Sequence, residues 1–334
     1  MARLAHGGDL DAARRLFPDA PQPFLDLSTG INPHSYPIAQ LSSDAFTKLP
    51  QPDAVARLAE IAAVTYGAPH AGTVAVAPSL QIVMALVAGF VPGRRAAVLS
   101  PTYGEHARVA RLAGHEVAEV ADIEALEDAA LAIVVNPNSP DGRIVSRDAL
   151  LGLAARVQRQ QGLVVADEAF MDVGPEAASL CEQVERTNLV VLRSFGKFYG
   201  LPGLRLSFAL AGPRIAKRLN AALGPWPVSG AALAVGTKAL ADTDWRRRTR
   251  TALDEAASRL DELLEGAGLA IAGGTPLFRL VRTDDAETLF AKLGQNGILA
   301  RHFPEQKTWL RFGLPGDEGE WQRLRAGLAA FPDQ

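Results

Sequence analysis

Between residues 73 and 210 short apolar runs alternate with segments of helical spacing, and this alternation limits the possible folds more than any other feature of the chain. Strand candidates lie at 95–100, 131–136, 163–166, 189–194 and 206–210, and the intervening segments 103–113 and 146–160 carry the 3.6-residue period with arginines on the outer face. Strands that alternate with helices imply crossover units around a mostly parallel sheet, which makes this region a large α/β lobe. After the Pro-Trp-Pro of 225–227 the texture changes to an Ala-, Leu- and Arg-rich segment, 229–266, expected to form one long helix. Strand-like pieces at 269–272 and 277–281 follow, so a second, smaller α+β lobe is expected. The first thirty-odd residues, with four prolines by position 33, read as an irregular arm.

The chain length of 334 residues agrees with two lobes, at roughly 150 residues per domain. Basic and acidic residues nearly cancel, 34 against 37, so the overall positive footprint that favours nucleic acid is missing. Cys181 is the only cysteine; neither an intrachain disulfide nor a multi-cysteine metal site can form, and a reducing, cytoplasmic location without a structural metal is expected. The first eight residues have no apolar signal core. The uncharged stretch 71–93 is long enough to span a bilayer, but Pro78, Ser79 and Gln81 interrupt it. What remains, 82–91, is too short and reads as a buried core helix, so no membrane partner is expected. Arg246, Arg247 and Arg248 resemble a basic patch, yet Asp254, Glu255, Asp261 and Glu262 follow, so a solvated helix face is expected.

Only six of the basic residues are lysines, and five of these occupy polar or amphipathic contexts. Lys197 differs: it follows an apolar strand within Arg193-Ser194-Phe195-Gly196-Lys197, at the strand end where open α/β sheets bind ligands. A desolvated lysine is a nucleophilic amine. The Ser-x-x-Lys spacing also suggests penicillin-binding proteins, but their Ser-Asp-Asn and Lys-Thr-Gly companions do not occur. Eight residues on, Arg205 begins another strand, and its guanidinium with the Ser194 hydroxyl suits a phosphate. Asp167 ends the strand Val164-Val165-Ala166-Asp167. A carboxylate there also suits a nucleotide site, but no Gly-x-x-x-x-Gly-Lys-Ser/Thr motif accompanies it. A carboxylate, a reactive lysine and a phosphate clamp on neighbouring strand ends match the demands of pyridoxal 5'-phosphate.

These residues resemble the fold-type-I pyridoxal-phosphate enzymes of the class I/II aminotransferase group, over nearly the whole chain. The motifs His6-Gly7-Gly8-Asp9, Asp26-Leu27-Ser28-Thr29-Gly30-Ile31-Asn32-Pro33, Pro225-Trp226-Pro227-Val228-Ser229-Gly230 and Trp309-Leu310-Arg311-Phe312-Gly313 resemble its threonine-phosphate decarboxylase branch, which serves cobalamin biosynthesis. The resemblance implies a large lobe with a mostly parallel seven-stranded sheet and a smaller α+β lobe. Its domains would be an arm, 1–35, packing with the small lobe, a cofactor domain, 36–225, and a C-terminal domain, 226–334. Lys197 would be the Schiff-base lysine and Asp167 the partner of the ring nitrogen. Tyr103 would stack on the ring, and Ser79 and Leu80, opening the apolar helix, would meet the phosphate with Ser194 and Arg205.

Two positions depart from the group. Ser139 stands where relatives usually carry an asparagine that bonds the ring hydroxyl, and Phe170 where aminotransferases often have a tyrosine reaching the same oxygen; Asn138 or Ser139 would have to compensate. For a phosphorylated amino acid as substrate, the resemblance implies His6, Gly30, Ile31, Asn32, Arg301 and Arg311 as binding residues. It also implies a homodimer, in which the arm histidine can come from the neighbouring subunit. The Cα bond set perpendicular to the ring is the one that breaks, so anion placement by Arg301, Arg311 and His6 selects decarboxylation. The alternatives are histidinol-phosphate aminotransferase on the same scaffold and, in another class, a non-catalytic binding or regulatory protein.

Overall fold

A computed structural model of the protein describes residues 7–329. The chain divides into two compact units, one of residues 35–246 and the other joining the residues up to 34 with those from 247 onward. The leading segment is less irregular than its prolines suggest. It holds a helix, Leu10–Leu16, and a two-residue strand, β1 (Leu25–Asp26). Asp9 caps that helix, its carboxylate accepting from the Ala12 N–H at 2.9 Å. Asp11 lies in the first turn and Arg14 and Arg15 in the last, matching the helix dipole.

The larger unit is built on seven strands: β2 (Val74–Ala77), β3 (Arg95–Leu99), β4 (Glu116–Val120), β5 (Leu131–Val135), β6 (Leu163–Asp167), β7 (Leu189–Ser194) and β8 (Ser207–Ala211). They form one sheet in the order β2-β8-β7-β6-β5-β3-β4. Every pairing is parallel except the two that β8 makes with β2 and β7. Six strands therefore end at one edge of the sheet, and reversed β8 begins there. Five strands lie within about a residue of the runs expected from apolarity. β4 escapes that criterion because it is the sheet's edge, with Glu116 and Glu119 exposed.

Alternation along β6 and β7 separates the two faces of the sheet. Leu163, Val165, Val190 and Leu192 share a core with Val83, Met84 and Val87 of the helix Leu80–Ala88 and with Ala107 and Ala110 of the helix Glu105–Leu112. The apolar stretch 82–91, expected as a buried core helix, thus falls largely on the nine-residue helix Leu80–Ala88. On the opposite face Tyr66, ending the helix Pro52–Tyr66, meets Phe208 of β8 edge-on at 5.6 Å.

The segment 229–266 is two helices, Gly230–Ala241 and Thr243–Glu265, instead of one. Asp242 breaks it by capping the second, its carboxylate accepting from the Trp245 N–H at 2.9 Å. Arg247 and Arg248 are exposed, as a solvated face requires, whereas Arg246 is half-buried and donates to the Thr65 carbonyl at 3.4 Å. The first of these helices packs on Pro52–Tyr66 in the larger unit; at Gly236 a Cβ would touch Leu58 and collide with the Leu206 side chain. The units accordingly change over inside the second helix, not at 225–227.

In the other unit β9 (Ala270–Thr275), β10 (Phe278–Arg282), β11 (Ile298–Leu299), β12 (Arg301–His302) and β13 (Trp309–Gly313) appear in turn. Four of them form an antiparallel sheet in the order β12-β13-β10-β9. β1 joins β11 in parallel, Leu25 opposite Ile298 and Asp26 opposite Leu299. Leu27 continues the tie by donating to the Leu299 carbonyl and accepting from the Gly313 N–H, at 2.8 and 2.6 Å. Leu25, Leu27, Leu299 and Phe312 are buried in this unit's core. Among the described residues no helix is long and apolar enough to cross a membrane.

Candidate active site

The sheet topology gathers the expected cofactor residues at one edge of the larger unit. β2 runs into Ser79 and Leu80, β3 into Tyr103, β5 into Asn138 and Ser139, β6 ends in Asp167, and β7 ends in Ser194 and leads to Lys197. Arg205 reaches the same edge only because β8 runs backwards. Ser79 caps the helix Leu80–Ala88, accepting from the Ile82 N–H at 3.3 Å. The first-turn N–H groups of such a helix lack intrahelical acceptors and suit an anion.

Asp167 is buried, and its carboxylate has two partners. One oxygen accepts from the Ala169 N–H at 3.0 Å, and the other lies 2.8 Å from Nε2 of His106, itself 1% exposed. His106 is the residue that sequence reasoning missed. Its signal was the spacing Tyr103-x-x-His106 at the start of an amphipathic helix, which puts both rings on one side; the rings meet edge-on at 6.1 Å. Burial, followed by the charges of Glu105 and Asp167, raises the Tyr103 pKa, against a hydrogen bond with Gln81. Tyr103, His106 and Asp167 thus form one connected group.

Lys197 sits on the short helical turn Phe195–Phe198, whose two phenylalanines are fully buried. Phe195 stacks on Tyr199 at 4.2 Å, and Tyr199 stacks on Trp245 at 5.5 Å. This aromatic base orients the turn and leaves Lys197 half-buried, with Nζ 5.4 Å from the centre of the Phe170 ring. Ser194 precedes the turn without a capping hydrogen bond. Gly196 allows Pro202 to approach, since a Cβ would lie 3.0 Å from the Pro202 Cα. Arg205 is exposed at φ +55°, a left-handed backbone that costs a non-glycine residue of order 1–3 kcal/mol and concentrates at functional sites.

Asn138 has a different task from the one expected. Its amide donates to the Pro101 carbonyl at 2.9 Å and to Asp141 Oδ1 at 2.7 Å, while its oxygen accepts from the Thr102 hydroxyl at 2.6 Å. One amide hydrogen and the side-chain oxygen join the Tyr103 loop to the 136–143 loop, and the other hydrogen closes within the latter, so Asn138 positions the loops, with Ser139 half-buried beside it.

In the other unit, Arg301 of β12 and Arg311 of β13 are directly opposed cross-strand partners. Like charges so placed repel. Arg311 is buried, donates to the Ser28 carbonyl at 2.7 Å and lies over the Phe278 ring at 4.9 Å. Burial and then the Arg301 charge, opposed by Asp26, hold its guanidinium down to about 9. Gly30 takes φ +60° on the way to buried Asn32, whose side-chain oxygen accepts from the His34 N–H at 2.9 Å; Ile31 is half-buried between them. His6 lies outside the described residues.

The strand-edge residues fit pyridoxal 5'-phosphate in their chemistry: a buried carboxylate for a pyridinium, an amine for an aldehyde, a flat ring, and a helix start with serine and arginine for a phosphate. The family model Aminotransferase class I and II matches residues 46–328. The chain is 41% identical to threonine-phosphate decarboxylase of Pseudomonas aeruginosa, over 99% of this chain and 98% of that one. It is 30% identical to histidinol-phosphate aminotransferase 1 of Psychrobacter arcticus, but over 65% of this chain and 56% of that one. Its fold resembles the crystal structure of histidinol-phosphate aminotransferase from Sinorhizobium meliloti in complex with pyridoxal-5'-phosphate, at TM-score 0.81 and 18% identity, covering 99% and 96% of the two chains. The chain belongs to the class I and II aminotransferase family of pyridoxal-phosphate-dependent enzymes, and it matches a threonine-phosphate decarboxylase along almost its entire length.

Proposed function

We propose that the protein decarboxylates L-threonine O-3-phosphate to (R)-1-amino-2-propanol O-2-phosphate and carbon dioxide in cobalamin biosynthesis. The observation that carries this reading is the near-full-length similarity to the Pseudomonas aeruginosa decarboxylase, set against a partial match to the aminotransferase. The opposed Arg301 and Arg311 support it, because a substrate with a carboxylate and a phosphate needs two fixed cations. Bound pyridoxal phosphate supplies an aldehyde for a lysine and a ring that accepts an electron pair. Asp167, oriented by His106, holds a proton at the ring nitrogen. Ser79, Ser194 and Arg205 take the cofactor phosphate, with Leu80 opening the helix beneath it, and Tyr103 covers the ring. Arg301 and Arg311, with His6, Gly30, Ile31 and Asn32, orient the substrate so that its carboxylate leaves. Lys197 Nζ, having taken a proton from the substrate's ammonium group, would then deliver it to the carbon that lost the carboxylate.

The same reading makes the protein a cytoplasmic homodimer; the single buried cysteine agrees with a reducing compartment. In Lys197→Ala the visible absorbance of lysine-bound cofactor and carbon dioxide release from phosphothreonine should both disappear. Release that persists in that variant contradicts the assignment.

A further inference from the structure

Directly behind the cofactor edge, on the opposite face of the sheet, lies a buried charged cluster to which the reaction assigns no role. Arg193 donates through Nη1 to Glu168 Oε2 at 2.9 Å and through Nη2 to Asp172 Oδ1 at 3.1 Å, and its guanidinium lies 4.4 Å from the centre of the Tyr66 ring. Glu168 also accepts from the Leu180 N–H and the Ser179 hydroxyl, each at 2.7 Å, with the Cys181 thiol 3.7 Å away. Glu168 and Asp172 are fully buried and Arg193 is 4% exposed.

The cluster's place in the chain is the telling feature. Glu168 follows Asp167, Arg193 precedes Ser194, and Asp172 comes two residues after Phe170, the ring against Lys197. Strand alternation sends Asp167 and Ser194 to one face and Glu168 and Arg193 to the other. The backbone supports the same join: Glu168 N–H donates to the Leu192 carbonyl, and Met171 N–H to the Glu168 carbonyl.

We propose that Arg193 is a positioning residue, whose fork through Glu168 and Asp172 sets Asp167, Phe170 and Ser194 in register for the cofactor. A buried ion cluster adds little net stability compared with apolar residues of similar volume, so its value here is geometric. Burial alone lowers the Arg193 pKa, and the facing Asp172, Cys181, Glu168 and Tyr66 overcome this and raise it. The cation therefore stays charged at any working pH, as a permanent clamp must. Arginine suits the task better than lysine because its planar fork fixes two carboxylates at a defined angle.

The inference rests on the pyridoxal-phosphate reading, which wild-type protein tests first by binding the cofactor and showing its visible circular dichroism. Two variants then test the clamp: Arg193→Lys, and Arg193→Met combined with Glu168→Gln and Asp172→Asn, which leaves no unpaired buried charge. With the folded fraction checked by far-ultraviolet circular dichroism, both should bind pyridoxal phosphate roughly tenfold or more weakly. The visible band should be altered, least in the lysine variant. Folded variants that keep wild-type affinity and an unchanged visible band, with or without a lower melting temperature, overturn the proposal. If wild type itself fails to bind the cofactor, the underlying functional reading falls instead.

Discussion

The opposed arginines show most clearly how a single residue bears on function here. A guanidinium held down to about 9 by burial and a like-charged neighbour is an expensive thing to fold around. Because its folded pKa lies below the ordinary arginine value, the native state carries the cost of the charged form throughout neutral pH. That cost is relieved only as pH rises through about 9. A bound anion reverses the balance by pairing with the charge. Binding of a phosphorylated hydroxy acid, which has the substrate's two anions but no amine to titrate, should hold steady up to pH 8 and weaken as pH passes 9. Calorimetric titration against pH checks this, and an affinity flat to pH 10 contradicts it. The placement of Lys197 and Asp167 at neighbouring strand ends was legible from the apolar runs that precede them. His106 was not, because a lone histidine on an amphipathic helix looks the same whether it faces a carboxylate or plain core.

Among the elements, the reversed strand and the loop that Asn138 fastens matter most. Apolar runs reveal where strands are, which is why β3, β5, β6, β7 and β8 were expected nearly at their observed bounds. They do not reveal direction, and the direction of β8 is what brings Arg205 to the cofactor edge. Propensity likewise misses a helix break that depends on one side chain, as at Asp242. Asn138 illustrates the same limit: its place in the loop suggested ligand contact, whereas two of its hydrogen bonds join two loops and a third closes its own loop on Asp141. Replacing it with alanine should therefore cost about 1–3 kcal/mol for each group left unsatisfied, and loosen Tyr103. A lowered melting temperature with weaker cofactor binding is the expected result; unchanged melting contradicts the joining role.

Over the whole molecule, the two compact units are not consecutive in sequence. β1 contributes to the unit otherwise built from residues beyond 247, and buried Leu25 and Leu27 are each worth about 1.5–3 kcal/mol there. The change of composition near 225 marked a real shift of texture, but the helix Gly230–Ala241 after it belongs to the larger unit. Fragments 1–225 and 226–334 made separately should each be insoluble or unfolded by circular dichroism. A fragment that folds cooperatively alone would contradict this division. Near-neutral net charge is compatible with the proposed function, which asks for positive charge only locally, at a few arginines and one lysine. Product analysis tests the proposed reaction itself. Cofactor-loaded protein should release carbon dioxide from L-threonine O-3-phosphate and form no glutamate from 2-oxoglutarate with histidinol phosphate; glutamate without carbon dioxide release would make the protein an aminotransferase instead.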